Sequence, residues 1–150
     1  MREILFKAKR LDNGEWVEGG CVHQTDHYGK KVDKWFIVDG ATTEDNDIGF
    51  AYEVNPDTVC QYTGLTDVKG KKVFEGDVLR FTDDASALKW VGVIVFGNPN
   101  GTYTWGWQVA HVSGDAANTD TLLWFDMEEG GAYSMVVGNI YDKEASDAKR

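Results

Sequence analysis

Proline, cysteine and long apolar stretches are what this chain has least of. Its 150 residues include two prolines and two cysteines. The longest apolar run, Trp90 to Phe96, is roughly a third of what a membrane helix requires. Cys21 and Cys60 alone make no disulfide framework, which fits a reducing cytoplasm. The opening MREILFKAKR is charged along its length and lacks the apolar centre of a signal peptide, so a cytoplasmic protein with no membrane partner is expected. There is no Gly-x-Ser-x-Gly elbow, P-loop or dinucleotide fingerprint, which removes the usual signatures of several enzyme classes. Basic residues are missing from two long stretches. Trp35 to Val68 holds seven acids and Trp90 to Asp142 six, with no Lys or Arg in either, and the net charge is −10. Such a surface neutralises few phosphates, so direct nucleic-acid binding is not expected. Local basic patches remain at Lys30, Lys31 and Lys34 and at Lys69, Lys71 and Lys72.

Glycine, in contrast, is plentiful, and β-branched and aromatic residues recur in short alternating runs. Residues 4–9, 15–22, 34–38 and 48–52 read as strands of a meander, the first two joined by a turn at Asp12-Asn13-Gly14. Trp90 to Phe96 is apolar on both faces and is expected to lie centrally. A turn at Gly97-Asn98-Pro99-Asn100-Gly101 leads to a partner strand, with Tyr103, Trp105, Trp107 and Val109 on one face. Thr102, Thr104, Gly106 and Gln108 lie on the other, polar face. Strands at 122–125 and 132–137 follow, and only 85–89 and 114–118 suggest short helical turns. A chain of this length can bury roughly 68–70% of its unfolded surface and needs no disulfide or metal to be stable. The fold expected is all-β, built of short antiparallel strands. An N-terminal β meander spans 1–53, a barrel or roll spans 54–142, and a polar tail frays over 143–150.

The most informative block is VNPDTVCQYTGLTDVKGKKVFEGDVLRF, residues 54–81. Pro56 lacks a backbone donor and suits a turn entry, and Thr58-Val59-Cys60-Gln61-Tyr62 reads as a strand. In Asp67-Val68-Lys69-Gly70 an Asp can bond its own backbone and a Gly can take positive φ, which together make a turn. Glu75-Gly76-Asp77 is a second reversal before Val78-Leu79-Arg80-Phe81. Gln61-Tyr62-Thr63-Gly64-Leu65, Asp67, Gly70-Lys71 and Glu75-Gly76-Asp77 closely resemble the YopX-like proteins of bacteriophages and prophages. So do Arg2-Glu3-Ile4 and Phe6-Lys7-Ala8 at the start and Val137-Gly138-Asn139-Ile140-Tyr141 near the end. The resemblance implies an all-β protein with an SH3-like C-terminal barrel and a phage or prophage origin, hence a bacterial host cell. It implies no activity.

Candidate chemistry is sparse. Cys21, His23 and His27 are the nearest approach to a metal site, but closed structural zinc sites need four N or S ligands, and a buried free Cys beside surface histidines explains the same letters. Glu44-Asp45-Asn46-Asp47 lacks the ligand spacing of a calcium loop and reads as a solvated acidic turn. Glu75 with Asp77, or Glu128 with Glu129, are carboxylate pairs with nothing to place them in a pocket. Trp105 and Trp107, flanking Gly106, are the natural interaction surface, and a packed core accommodates them equally well. No catalytic residue and no cofactor is expected. The leading expectation is a non-enzymatic accessory protein that binds a protein partner of host or phage and leaves room for a homo-oligomer. The alternatives are an acidic mimic of nucleic acid and a small metal-dependent hydrolase centred on Cys21, His23 and His27.

Overall fold

A computed structural model describes residues 3–39, 50–83, 85, 87–97, 105–114, 120–122 and 132–142. The chain is all-β and divides into two compact units, 1–62 and 63–150. The division falls inside a strand, later than Glu53.

The first unit contains β1 (Phe6–Lys9), β2 (Trp16–His27), β3 (Lys30–Val38), β4 (Ala51–Val54) and the start of β5 (Cys60–Thr66). They lie in the order β4-β3-β2-β1-β5. Alternation explains the sheet's buried face: Ala8, Ile37 and Val54 are fully buried, with Phe6, Val17, Cys21, Trp35 and Val59 packed around them. An isolated bridge joins Arg10 to Val54, where Leu11 N donates to Glu53 O at 3.0 Å and Asn55 N to Lys9 O at 2.9 Å, so the end of β1 curls back to β4.

Two sequence expectations need correction here. β2 and β3 extend to His27 and from Lys30, so His27 ends a strand and does not lie in the turn. Thr58 belongs to a 3₁₀ turn over Pro56–Thr58 and not to the strand that follows. Asn55 caps that turn by accepting from Asp57 N at 3.0 Å, and Pro56 brings a φ already suited to a helical start.

The second unit contains the rest of β5, which neighbours β6 (Lys72–Phe74). It also holds a five-stranded antiparallel sheet of β7 (Asp77–Asp83), β8 (Leu88–Gly97), β9 (Gly106–Gly114), β10 (Asp120–Leu122) and β11 (Ala132–Asn139). The order is β10-β9-β8-β7-β11. Val73, Leu79, Phe81, Trp90, Ile94 and Val109 form its core, with Phe81 and Trp90 stacked at 5.4 Å. The hairpin of β8 with β9 is as expected, and β8 is central, but its second face is only half covered and Phe96 is exposed.

On β9, Gln108 is buried, not solvated. Its Nε2 donates to Gly97 O at 3.1 Å, which satisfies an amide that would otherwise be costly to bury. Ala85 and Ala87 lie in a turn and Leu88 and Lys89 belong to β8, where a helical turn was expected. Among the described residues the five-stranded sheet of the second unit is open, so all-β is what the structure establishes and the SH3-like form stays an expectation of the resemblance. Tyr103, Thr104, the strand residues 123–125, the turn residues 115–118, the Glu44–Asp47 cluster, Glu128, Glu129 and the tail 143–150 lie outside the described residues.

Candidate functional site

Of the residues that carry the family likeness, those from Thr63 to Asp77 and from Val137 to Tyr141 lie in the second unit, where Asp67, Gly70, Gly76 and Asp77 hold turns. Asp67 opens the turn between β5 and β6. Gly70 N donates to Asp67 O at 2.9 Å, and Gly70 has φ of 82°, a conformation glycine adopts without a Cβ clash. The Asp67 carboxylate is buried yet well supplied with donors. Oδ1 accepts from Lys69 N at 2.9 Å and Lys71 N at 2.8 Å, and Oδ2 accepts from Val136 N at 2.9 Å on β11. Val68 N donates to Ser134 O at 3.0 Å beside it. Thr63 Oγ1 donates to Val73 O at 2.8 Å and ties β5 to β6.

Glu75-Gly76-Asp77 forms a second knot. Asp77 is fully buried; Oδ2 accepts from Phe74 N at 2.8 Å and Oδ1 from Asn139 Nδ2 at 2.9 Å. Ile140 N donates to Gly76 O at 2.9 Å and Gly76 N to Ile94 O at 2.8 Å. A Cβ on Gly76 would come within 3.3 Å of both the Asn139 and Ile140 side chains, and its φ of 81° is one that L side chains rarely adopt. Two segments far apart in sequence therefore meet as one polar clasp. Glu75 is half-buried, and desolvation pushes its carboxyl above the ordinary glutamate range. The Asp67 and Asp77 carboxylates thus accept N–H groups from their own turns and from the β11 segment.

The metal candidates do not converge. Cys21 packs into the core of the first unit and burial raises its thiol. The His23 ring stacks on Trp35 at 3.9 Å, and its Nε2 lies 2.7 Å from Asp33 Oδ1. His27 stands edge-on to Tyr28 at 4.7 Å. Among the described residues no group of three or more His, Cys, Asp or Glu side chains could hold a metal ion.

The two tryptophans separate. Trp107 packs against the second unit's core and meets Phe96 edge-on at 4.9 Å, whereas Trp105 is 74% exposed. Trp105 precedes the last ladder pair, Gly97 with Gly106, so strand alternation no longer governs where it points. Phe96, on the facing strand, is 62% exposed.

One feature had no sequence signal. In the first unit a groove of about 320 Å³ lies between Arg10-Leu11-Asp12 and Ala51-Tyr52-Glu53. The Arg10 guanidinium sits over the Tyr52 ring at 4.4 Å and grips Asp12 through two contacts, at 2.9 and 2.6 Å. That pair raises the Arg10 pKa and lowers that of Asp12.

Fold and clasp together define a class: all-β proteins of two compact units whose signature residues tie turns to a distant strand. The chain belongs to the YopX protein family, whose model matches residues 5–145. Among solved structures it is similar to protein EF1440 from Enterococcus faecalis, at 18% identity and a TM-score of 0.46, over 96% of this chain and 97% of that one. No curated protein matches the chain. No helix among the described residues is long and apolar enough to cross a membrane.

Proposed function

We propose that the protein is a phage- or prophage-encoded accessory protein acting as a non-enzymatic protein-interaction module. The observation that carries this is the use of the signature side chains: Asp67 and Asp77 are buried and bound to N–H donors, so the family likeness rests on architecture. Against that inert frame, Trp105 and Phe96 supply exposed aromatic area of the kind that anchors protein interfaces.

The competing readings draw less support. A hydrolase would need Cys21, His23 and His27 to converge, and a thiol made less acidic by burial is a poor nucleophile at neutral pH. A nucleic-acid mimic would need rows of free carboxylates, while Asp12, Asp33, Asp67 and Asp77 are each engaged.

The test is capture of the partner from host cells followed by reconstitution with the purified partner. Trp105→Ala and Phe96→Ala are expected to cost more than about 1 kcal/mol of binding each. Binding that DNA competes away would favour the mimic. Metal-dependent hydrolysis abolished by His23→Ala would favour the enzyme.

A further inference from the structure

β2 and β3 run on past the strands that flank them. The register of β1 on β2 stops at Gly19, and that of β4 on β3 begins at Trp35. Residues 24–34 therefore form a two-stranded ribbon with no third strand beside it among the described residues. All of them except Gln24 and Val32 are exposed. A lone two-stranded ribbon buries too little to stabilise a fold by itself, so this one is better placed to serve contact than stability.

The ribbon's chemistry is sorted. Tyr28 stands at its tip, 94% exposed and at φ of 51°, a conformation that bulky side chains seldom adopt. Both of its acids are used internally: Asp26 Oδ1 accepts from Gly29 N at 2.9 Å and Asp33 faces His23. Lys30, Lys31 and Lys34 form no ion pair among the described residues. Asp26 lies across the ladder from Lys31, so three lysines against two acids leave the ribbon with a small excess of positive charge beside an exposed aromatic ring.

The groove described above is its complement, and it belongs to the same unit. Leu11 is 57% exposed, and Phe50, against Tyr52 at 6.2 Å, is also exposed, so the rim is apolar and aromatic. Arg10 is neutralised by Asp12, whereas the Glu53 side chain forms no ion pair among the described residues. Position matters too. Glu53 pairs with Phe36 and Val54 with Trp35, the level at which the ribbon leaves the sheet. The groove lies beside the ribbon's root, and the tip lies about 23 Å away at ~3.3 Å per residue.

We propose that the ribbon tip docks in this groove on a second copy of the chain, giving an isologous dimer. With the two ribbons antiparallel, each tip arrives at the other's root, and a two-fold axis makes both contacts at once. Tyr28 lies against Leu11 and Tyr52, and Lys30 and Lys31 oppose Glu53. A chain of net charge −10 is itself an acidic partner for its own basic ribbon. The same charge makes two copies repel at long range, so the dimer forms only at raised concentration. This contact is separate from the exposed Trp105 and stands whether or not a heterologous partner binds there.

Sedimentation velocity over a concentration series tests it. The wild-type chain is expected to pass from monomer to dimer by about 100 μM, a range usual for small, partly polar interfaces. Tyr28→Ser, Lys30→Glu with Lys31→Glu, and Glu53→Lys should each raise Kd by about tenfold or more. Combining Glu53→Lys with the two lysine reversals in one chain should restore the dimer. Unchanged melting temperatures would show that the variants fold. A wild-type chain that stays monomeric throughout overturns the proposal, as does a dimer indifferent to these changes. A monomer whose ribbon binds 20-base-pair duplex DNA would overturn it as well.

Discussion

Single residues decide how this fold is closed, and they do so mostly through backbone N–H groups. Asp67 accepts three of them, two in its own turn and one from β11. Asp67→Ala leaves these donors without an acceptor and is expected to cost about 3 kcal/mol in urea unfolding, with Asp67→Asn losing less because it keeps one oxygen. Gly70 has open space around its missing Cβ, so Gly70→Ala tests backbone conformation alone. It should destabilise by about 1 kcal/mol, and an unchanged melting temperature would mean the turn tolerates a side chain at positive φ. Glu75 works in the opposite sense. Burial raises its folded-state pKa, so as pH rises the unfolded chain releases the proton first. Its contribution to stability is greatest below the ordinary glutamate range and declines as pH climbs through the folded value. Glu75→Gln should therefore raise the melting temperature at pH 7 and flatten its dependence on pH just above that range. A lower melting temperature at pH 7 would show that the carboxylate is held by a favourable contact. The Asp67–Gly70 turn was legible in the sequence because its chemistry is local. The bond from Asn139 to Asp77 was not, because nothing in either segment names its partner.

Elements were legible to the extent that they bury one face. Ile94 is fully buried in the central strand of the second unit, so Ile94→Ala should cost about 2–5 kcal/mol by denaturant titration. A cost under about 1 kcal/mol would place the core elsewhere. The β8–β9 hairpin could be read from its apolar runs and turn, yet polarity misplaced Gln108, whose amide finds a carbonyl inside. The outer half of β2 and β3 was missed for a physical reason. Alternation reports a buried face against a wet one, and HQTDHYGKK has no buried face to report. Sequence could not separate Trp105 from Trp107 for a related reason, since Trp105 lies just outside the ladder whose alternation places Trp107.

At the scale of the whole molecule, composition was the better guide. The paucity of proline and wealth of glycine pointed to β structure, and most of the described residues are strand. The charge of −10 should keep affinity for duplex or single-stranded DNA negligible near physiological salt. Gel-shift titration at two salt concentrations checks this, and tight binding would mean that the lysines at 30–34 or 69–72 outweigh the net charge. Another consequence concerns β11. It is the outermost strand of a five-stranded sheet, and its eight residues carry no charge. A bare flank of this kind invites strands from other molecules to join in succession, with fibres as the end point. Asp67 and Val68 take up the groups at Val136 and Ser134 that such a newcomer would need. A loop that shapes one monomer thereby acts as a stopper against polymerisation, and loosening it would surrender solubility before it surrendered the fold.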